Sequence, residues 1–469
     1  VSYQQAVIAV SSALSPETWP FSLEWLPESA CLVGGSVRDA LLGRDSEYLD
    51  LDFVLPVGAV ETAQAIARHY RAGYVLLDSD RQIARVVFKQ GTADFAQQVG
   101  PTLEADLQRR DFRVNAIAYN PHTDQLLDPL QGYADLQKHM IRMVSWENLA
   151  EDPLRLLRAY RQAAQLGFSL EAETRSVIQQ LAPNLRRIAA ERVQSELNYL
   201  LSTARGTSWL TTAWQDGLLQ DWFPHATAAG LALIAAIDQT TAILQETVPD
   251  FAVELTNQLR STSAKTAGAE TTRPAPSSAD SKASGSSRTW LTAAKLASLL
   301  PFDSVAAEAQ LRRLKYSRSE VQTVSTVIRV MPQLCAVAVN SLTDPAWKTQ
   351  PEIPIAHSPR AQYLFFQEVG AAFPAVALLV IAAGVPLTQL LPLIHHFLTP
   401  NDPIAHPTPL LTGQDLMTAL KLSAGPHIGR LLAEIQLARA EGKITNREEA
   451  LQLAKVISAE TSAPPASHP

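Results

Sequence analysis

The chain has 469 residues, 46% of them hydrophobic, with 39 Lys and Arg against 46 Asp and Glu, a formal net charge of −7. That length supports two or more cores, and the composition is that of a folded chain rather than a disordered one. The acidic balance excludes indiscriminate nucleic-acid binding, and the two distant cysteines, Cys31 and Cys335, exclude a disulfide framework or Cys-rich zinc module and fit a reducing, cytoplasmic setting.

Strand-like apolar runs come first: Ala30–Val33, Leu49–Leu55, Tyr74–Leu77, Ala84–Phe88, Thr92–Phe95 and Ala116–Tyr119. Helical patterns at Val37–Leu42 and Ala59–Tyr70 lie between them, which predicts an α/β head with a mixed sheet. From about Asn148 onward strand signals nearly vanish and helices dominate. The stretch Ser261–Arg288 is rich in Ser, Thr, Ala, Gly and Pro and reads as a disordered loop or linker. Gly370 to Ile394 carries no charge and is long enough to span a bilayer, but three prolines punctuate it. It reads as a short buried helix from Pro374 to Ala383 followed by a second apolar segment, not as a membrane span. Near the end, Thr412 or Asp415 caps a helix, Gly425–Pro426 separates it from the next, and 462–469 reads as a frayed tail.

Chemistry concentrates in LVGGSVRDALLGRDSEYLDLDFV, Leu32 to Val54. Asp50 and Asp52 stand at i and i+2 of a strand and so share one face. Two carboxylates there repel each other unless a cation lies between them, and Mg²⁺ is the natural cation for an all-oxygen site that also takes substrate phosphates. Gly34 and Gly35 follow an apolar strand and let backbone N–H groups approach a phosphate. Together these features point to phosphoryl or nucleotidyl transfer. Asp94 is either a third carboxylate of that site or a solvated strand residue, and Arg85, on an alternating strand, reads as facing solvent. RRDFRVN supplies Arg109, Arg110 and Arg113, whose guanidinium forks suit triphosphate oxygens. In EDPLRLLRAYR, Asp152 and Arg155 are i, i+3 neighbours. They read either as a helix start with an ordinary surface pair or as an acceptor and donor for a base edge. Cytosine and adenine both present an amine donor beside a ring-nitrogen acceptor, which such a pair matches.

The order GG-x-VRD-x-LLGR, then D-x-D, then RRDF-x-x-NA-x-A, then E-D-x-x-R resembles the class II tRNA nucleotidyltransferases and their bacterial poly(A) polymerase relatives, within the polymerase-β-like superfamily. The resemblance runs from about Ala30 to Leu201. It implies an α+β architecture, with an N-terminal mixed-sheet, palm-like head at 1–147 followed by an all-α neck at 148–205, body at 206–260 and tRNA-binding region at 289–461. It implies addition of CMP and AMP units to a tRNA 3′ end from CTP and ATP, with Mg²⁺ held by Asp50 and Asp52 and with Asp94 as a further catalytic acid. Gly34, Gly35, Ser36, Arg38, Arg109, Arg110, Asp111 and Asn115 are the implied nucleotide-binding residues, with Asp152 and Arg155 reading the base and Arg158 and Arg161 meeting phosphates. Glu191 and Arg192 supply a structural ion pair. Arg113 stands where the family usually has Thr. The rivals are an A-adding or CC-adding enzyme, a poly(A) polymerase, and a silent RNA-binding protein. A poly(A) polymerase is disfavoured because a GRRF-type signature is missing. No membrane or obligate protein partner is expected.

Overall fold

The computed structural model describes residues 3–44, 48–259, 288–334 and 358–462. Most of the predicted linker, the 463–469 part of the predicted tail and Cys335 lie outside the described residues. Seven strands form one mixed sheet: β1 (Cys31–Val33), β2 (Leu49–Leu55), β3 (Gly73–Asp78), β4 (Ile83–Val87), β5 (Gly91–Gln97), β6 (Ala118–Asn120) and β7 (Gln125–Leu127). Their order is β3-β4-β5-β2-β1-β6-β7, with β2 and β5 parallel and the other pairs antiparallel.

Period-two alternation explains why the sheet has one chemical face. Leu51, Phe53 and Leu55 of β2 are buried, and the intervening Asp50 and Asp52 take the opposite side. β5 repeats the pattern, so that Phe53 lies opposite Phe95 and Asp52 opposite Asp94. The Phe53 and Phe95 rings stack at 5.2 Å between centroids, and Phe21 and Trp19 close over Phe53 at 5.9 and 5.3 Å. Burying rings of this size stabilises the sheet by about 2–3 kcal/mol each.

The helices of the first unit are α1 (Tyr3–Ala13), α2 (Gly35–Leu41), α3 (Ala59–Tyr70), α4 (Leu103–Leu107), α5 (Gly132–Gln137), α6 (Trp146–Glu151), α7 (Leu154–Leu166), α8 (Ala172–Leu181), α9 (Ala190–Ser202) and α10 (Ala204–Gln215). α3 packs on β3, β4 and β5 through Ala59, Val60, Ala63, Ile66 and Ala67. Cys31, Val33, Val54, Leu107, Ala116 and Ala118 form a second cluster that seats α4 and the turn at Arg113–Asn115 near the sheet centre. α7, α9 and α10 pack on one another.

The chain divides into two compact units, the second beginning at His225, inside the predicted 206–260 body. Among its described residues this second unit is helical apart from one isolated bridge between Gln258 and Thr289. Two helical stretches, Ala228–Thr247 and Pro359–Ala382, have the length and composition to cross a membrane. In the second of these, Phe373–Val380 are all buried in protein, with Phe373 packed against Phe365, Phe366 and Phe397. The expected Pro374–Ala383 helix is thus a core helix at Phe373–Ala382, and Leu387–Leu398 is the expected second segment. At the end of the chain Thr412 caps Gly413–Leu420 in a capping box with Asp415, so both predicted capping residues take part.

Candidate active site

Asp50, Asp52 and Asp94 meet on the carboxylate face of the central strands, beside the diglycine turn and Arg110. Asp52 is in register with Asp94, and Asp50 with Thr92. The Thr92 hydroxyl donates to Asp50 Oδ1 at 2.6 Å. Gly34, at φ +76°, closes β1 and begins α2. A Cβ placed there would lie 3.3 Å from Asp52 Oδ2 and 3.5 Å from Arg110 Nη1, so the diglycine turn sits directly against Asp52 and under Arg110. Only glycine supplies both that backbone angle and that clearance.

Charge is unbalanced here. Burial first, then the neighbouring Asp50 and Asp94, push the Asp52 carboxyl up to about 7, against the opposing pull of Arg110 and Arg85. Arg110 donates to Asp106 at 3.2 Å, Asp106 is itself fixed by the Val99 N–H at 2.9 Å, and the buried Arg110 Nε has no partner. Among the described residues no three His, Cys, Asp or Glu side chains converge as a closed metal cage. Mg²⁺ needs only one or two carboxylates, because water and substrate phosphates complete its shell. The Asp50–Asp52 pair suits that ion, and a divalent charge would offset the repulsion that raises Asp52.

Arg85 does not simply face solvent. It lies opposite Asp94 in the β4–β5 register, and its Nε and Nη2 donate to the two Asp94 oxygens at 2.6 and 2.8 Å. The fork follows from the same alternation that puts Asp94 beside Asp52, and this contact raises the Arg85 pKa further. Neither Arg85 nor Thr92 stands out as a motif, but each occupies the alternate position opposite a carboxylate, a signal present in the sequence once the strand pairing is known.

A second constellation lies behind the turn. Arg38, 6% exposed, forks Asp39 and donates Nη1 to Asn115 Oδ1 at 2.8 Å. Asn115 donates to Asp111 at 2.9 Å and to Gln162 at 3.0 Å. Asp111, also buried, accepts from the Phe112 N–H at 2.8 Å and from Arg158 Nε at 3.0 Å. Burial alone would raise the Asp111 carboxyl, but Arg158, Asn115 and the Phe112 N–H outweigh it and hold it down to about 2. Arg38, Asp111, Asn115 and Arg158 are therefore bonded to one another inside the fold. Arg161 likewise turns to Glu196 at 2.5 Å and Gln165 at 3.0 Å. Arg158 and Arg161, expected with Arg155 to continue one face toward phosphates, each pair with a carboxylate, Asp111 and Glu196, and the Arg158 side chain keeps 36% of its surface exposed. Ser36 Oγ bonds back to the Val33 carbonyl at 3.2 Å.

Asp152 and Arg155 stand three residues apart at the start of α7, where the Arg155 N–H donates to the Asp152 carbonyl at 3.0 Å while their side chains turn to other partners. Asp152 accepts from Leu154 N–H at 3.2 Å and pairs with Arg192 at 2.8 Å. The predicted structural role of Arg192 therefore involves Asp152. Arg155 Nη1 donates to the Arg109 and Asn148 carbonyls, both at 3.0 Å. Arg109, half exposed, pairs with Glu151 at 3.0 Å. Arg113 has a buried Nε without a partner.

The sequence matches the family described as "Poly A polymerase head domain" over residues 30–142, "Probable RNA and SrmB- binding site of polymerase A" over 167–229, and "tRNA nucleotidyltransferase domain 2 putative" over 285–454. It is 46% identical to a CC-adding tRNA nucleotidyltransferase of Synechocystis sp. over 93% of this chain and 95% of that one. The chain belongs to the tRNA nucleotidyltransferase family. A second CC-adding relative, from Geobacter sulfurreducens, is 31% identical over 90% of each chain. The family fold is also that of a solved CCA-adding enzyme in complex with ATP, with a TM-score of 0.64 at 20% identity over 93% of this chain and 91% of that one. The Thermotoga maritima CCA-adding enzyme with tRNA gives a TM-score of 0.60 at 21% identity over 92% and 91%.

Proposed function

We propose that this nucleotidyltransferase adds CMP units from CTP to the 3′ end of tRNA and releases pyrophosphate. Among the alternatives the sequence leaves open, this is CC addition. The observation that carries the choice is that two relatives at least 30% identical over nine-tenths of the chain, those of Synechocystis and Geobacter, are CC-adding enzymes. Addition of the whole CCA is the second reading, favoured by the fold shared with CCA-adding enzymes.

The chemistry assigned to the site is in-line displacement at the α-phosphorus of the nucleotide. Asp50 and Asp52 would hold Mg²⁺, which when bound would supply positive charge to stabilise the negative charge developing on the reacting oxygens. Thr92 fixes the orientation of Asp50. The Gly34–Gly35 backbone and Arg110 take the triphosphate, with Arg109 exposed at the edge of the same segment. Asp94, paired with Arg85, keeps a carboxylate beside Asp52 on the RNA side. Arg38, Asp111, Asn115 and Arg158 act by positioning α2 and α7 and not by touching the nucleotide. Asp152 and Arg155 are assigned to the base edge, held ready by Arg192 and by the Arg109 and Asn148 carbonyls. A base with the opposite donor–acceptor polarity would leave these groups unpaired, at about 1–3 kcal/mol each.

The test offers the full chain tRNA transcripts ending before CCA, after C and after CC, with labelled CTP or ATP and Mg²⁺. CC addition predicts two CMP units on the first, one on the second and nothing on the third. CMP incorporation on the first transcript together with AMP incorporation on the third selects the whole-CCA reading, while AMP on the third without CMP on the first, or open-ended tailing, rejects both. Asp52→Ala abolishes incorporation and leaves tRNA binding within about twofold, by filter binding. Extension at the normal rate by that variant would remove the metal assignment.

A further inference from the structure

We propose that Arg85 seats the RNA 3′ end: two nitrogens of its guanidinium clamp Asp94, and the third meets the last phosphodiester of the RNA. This rests on the site reading given above and extends it to the RNA strand. The strand order supplies the direction. Gly34 and Arg110 lie on the β1 side of β2, and Asp94 and Arg85 lie on the other side, along β5 and β4. An in-line displacement puts the attacking and leaving oxygens on opposite sides of the phosphorus. With the triphosphate on the Gly34 side, the attacking 3′-hydroxyl therefore arrives from the β5–β4 side. Arg85 stands two strands from Asp52 on the same face, about 10 Å away at ordinary strand spacing. A nucleotide whose 3′-hydroxyl reaches Asp52 brings its own 5′-phosphate toward that position.

The side chain is suited to both contacts. Its Nε and Nη2 are used by Asp94, its Nη1 has no hydrogen-bond partner among the described residues, and 35% of the side-chain surface stays in solvent. A planar fork held on a carboxylate is pre-oriented and loses little freedom on meeting a phosphate. The next residue across the sheet on this face, Val75 of β3, is 46% exposed and carries no charge, so it leaves the approach open to an anion. In a chain of net charge −7, a cation at this spot is a local exception of the kind RNA binding requires.

Two substitutions separate RNA contact from simple neutralisation of Asp94. The full-length chain is titrated with a tRNA transcript ending before CCA, by fluorescence anisotropy at rising KCl, and extension from CTP is measured in parallel. Arg85→Met weakens tRNA binding about tenfold. It also reduces the steepness of log Kd against log salt by about 0.7, the release expected for one contact to single-stranded RNA. The KM for CTP stays within about twofold of the wild type. Arg85→Lys keeps the salt slope, because it retains a point charge, but lowers kcat because it cannot fork Asp94. An unchanged slope in Arg85→Met, a rise in the KM for CTP without a loss of tRNA affinity, or a reduced slope in Arg85→Lys would each overturn the proposal. Failure of the wild-type chain to extend tRNA with CTP would instead overturn the functional reading, since the binding titration needs no turnover.

Discussion

Asp52 illustrates how a local pattern becomes an ionisation state. Its position is set by alternation, but its carboxyl is pushed up to about 7 by burial and by Asp50 and Asp94 around it. In metal-free protein that carboxyl is protonated below about pH 7 and charged above it. A divalent ion bound between Asp50 and Asp52 must then release a proton below pH 7 and none well above it. Calorimetric Mn²⁺ titrations in buffers of different ionisation enthalpy measure this, and Asp52→Asn removes both the binding and the proton release. Asp111 behaves in the opposite sense. Its folded pKa of about 2 lies below the ordinary carboxylate value of 3.8, so it stabilises the fold fully above pH 3.8, and that contribution fades as pH falls toward 2. The shift corresponds to about 2 kcal/mol. Asp111→Asn is expected to lower urea stability by about that amount at pH 7, and by much less at pH 2.5. The sequence marks both aspartates as chemically important. It does not separate their roles, because these depend on what surrounds each in the fold, Asp50 and Asp94 beside Asp52 but Asn115 and Arg158 on Asp111.

At the scale of elements, periodicity was a sound guide where it was strong. β2 and α3 lie at the bounds their patterns predict, Leu49–Leu55 and Ala59–Tyr70. Short pieces such as α4 and β7 show too few periods to be read that way. Positions of close approach are hidden for another reason, since they depend on a partner distant in the chain or on a sharp corner. Gly206 is one. Between α9 and α10 the chain turns in a single residue, Thr203, and a Cβ on Gly206 would run into the Leu200 carbonyl. Gly206→Ala is expected to cost about 1–3 kcal/mol by forcing the two helices apart. A lower thermal midpoint with kcat unchanged at permissive temperature checks this.

Across the whole molecule, all residues assigned to metal and nucleotide belong to the first unit, whose described residues run to Pro224 and have their own core. The helical second unit has a separate core, including Leu416, Leu431, Ile435, Ala450 and Ala454 near its end. A fragment of residues 1–224 is expected to bind CTP with Mg²⁺ within a few-fold of the full chain and to lose tRNA extension. Calorimetry and product gels check the two halves of that expectation.

The linear order of residues settled the family, the α+β plan and the convergence of Asp50, Asp52 and the diglycine turn, because these rest on contacts within one strand–turn–helix segment and on strand periodicity. Only the folded chain decided what stands opposite each charge. Arg85 belongs to Asp94, Arg158 to Asp111, Arg161 to Glu196 and Arg192 to Asp152. Partners 9 to 47 residues apart meet through strand register and helix packing, which no short window of sequence encodes.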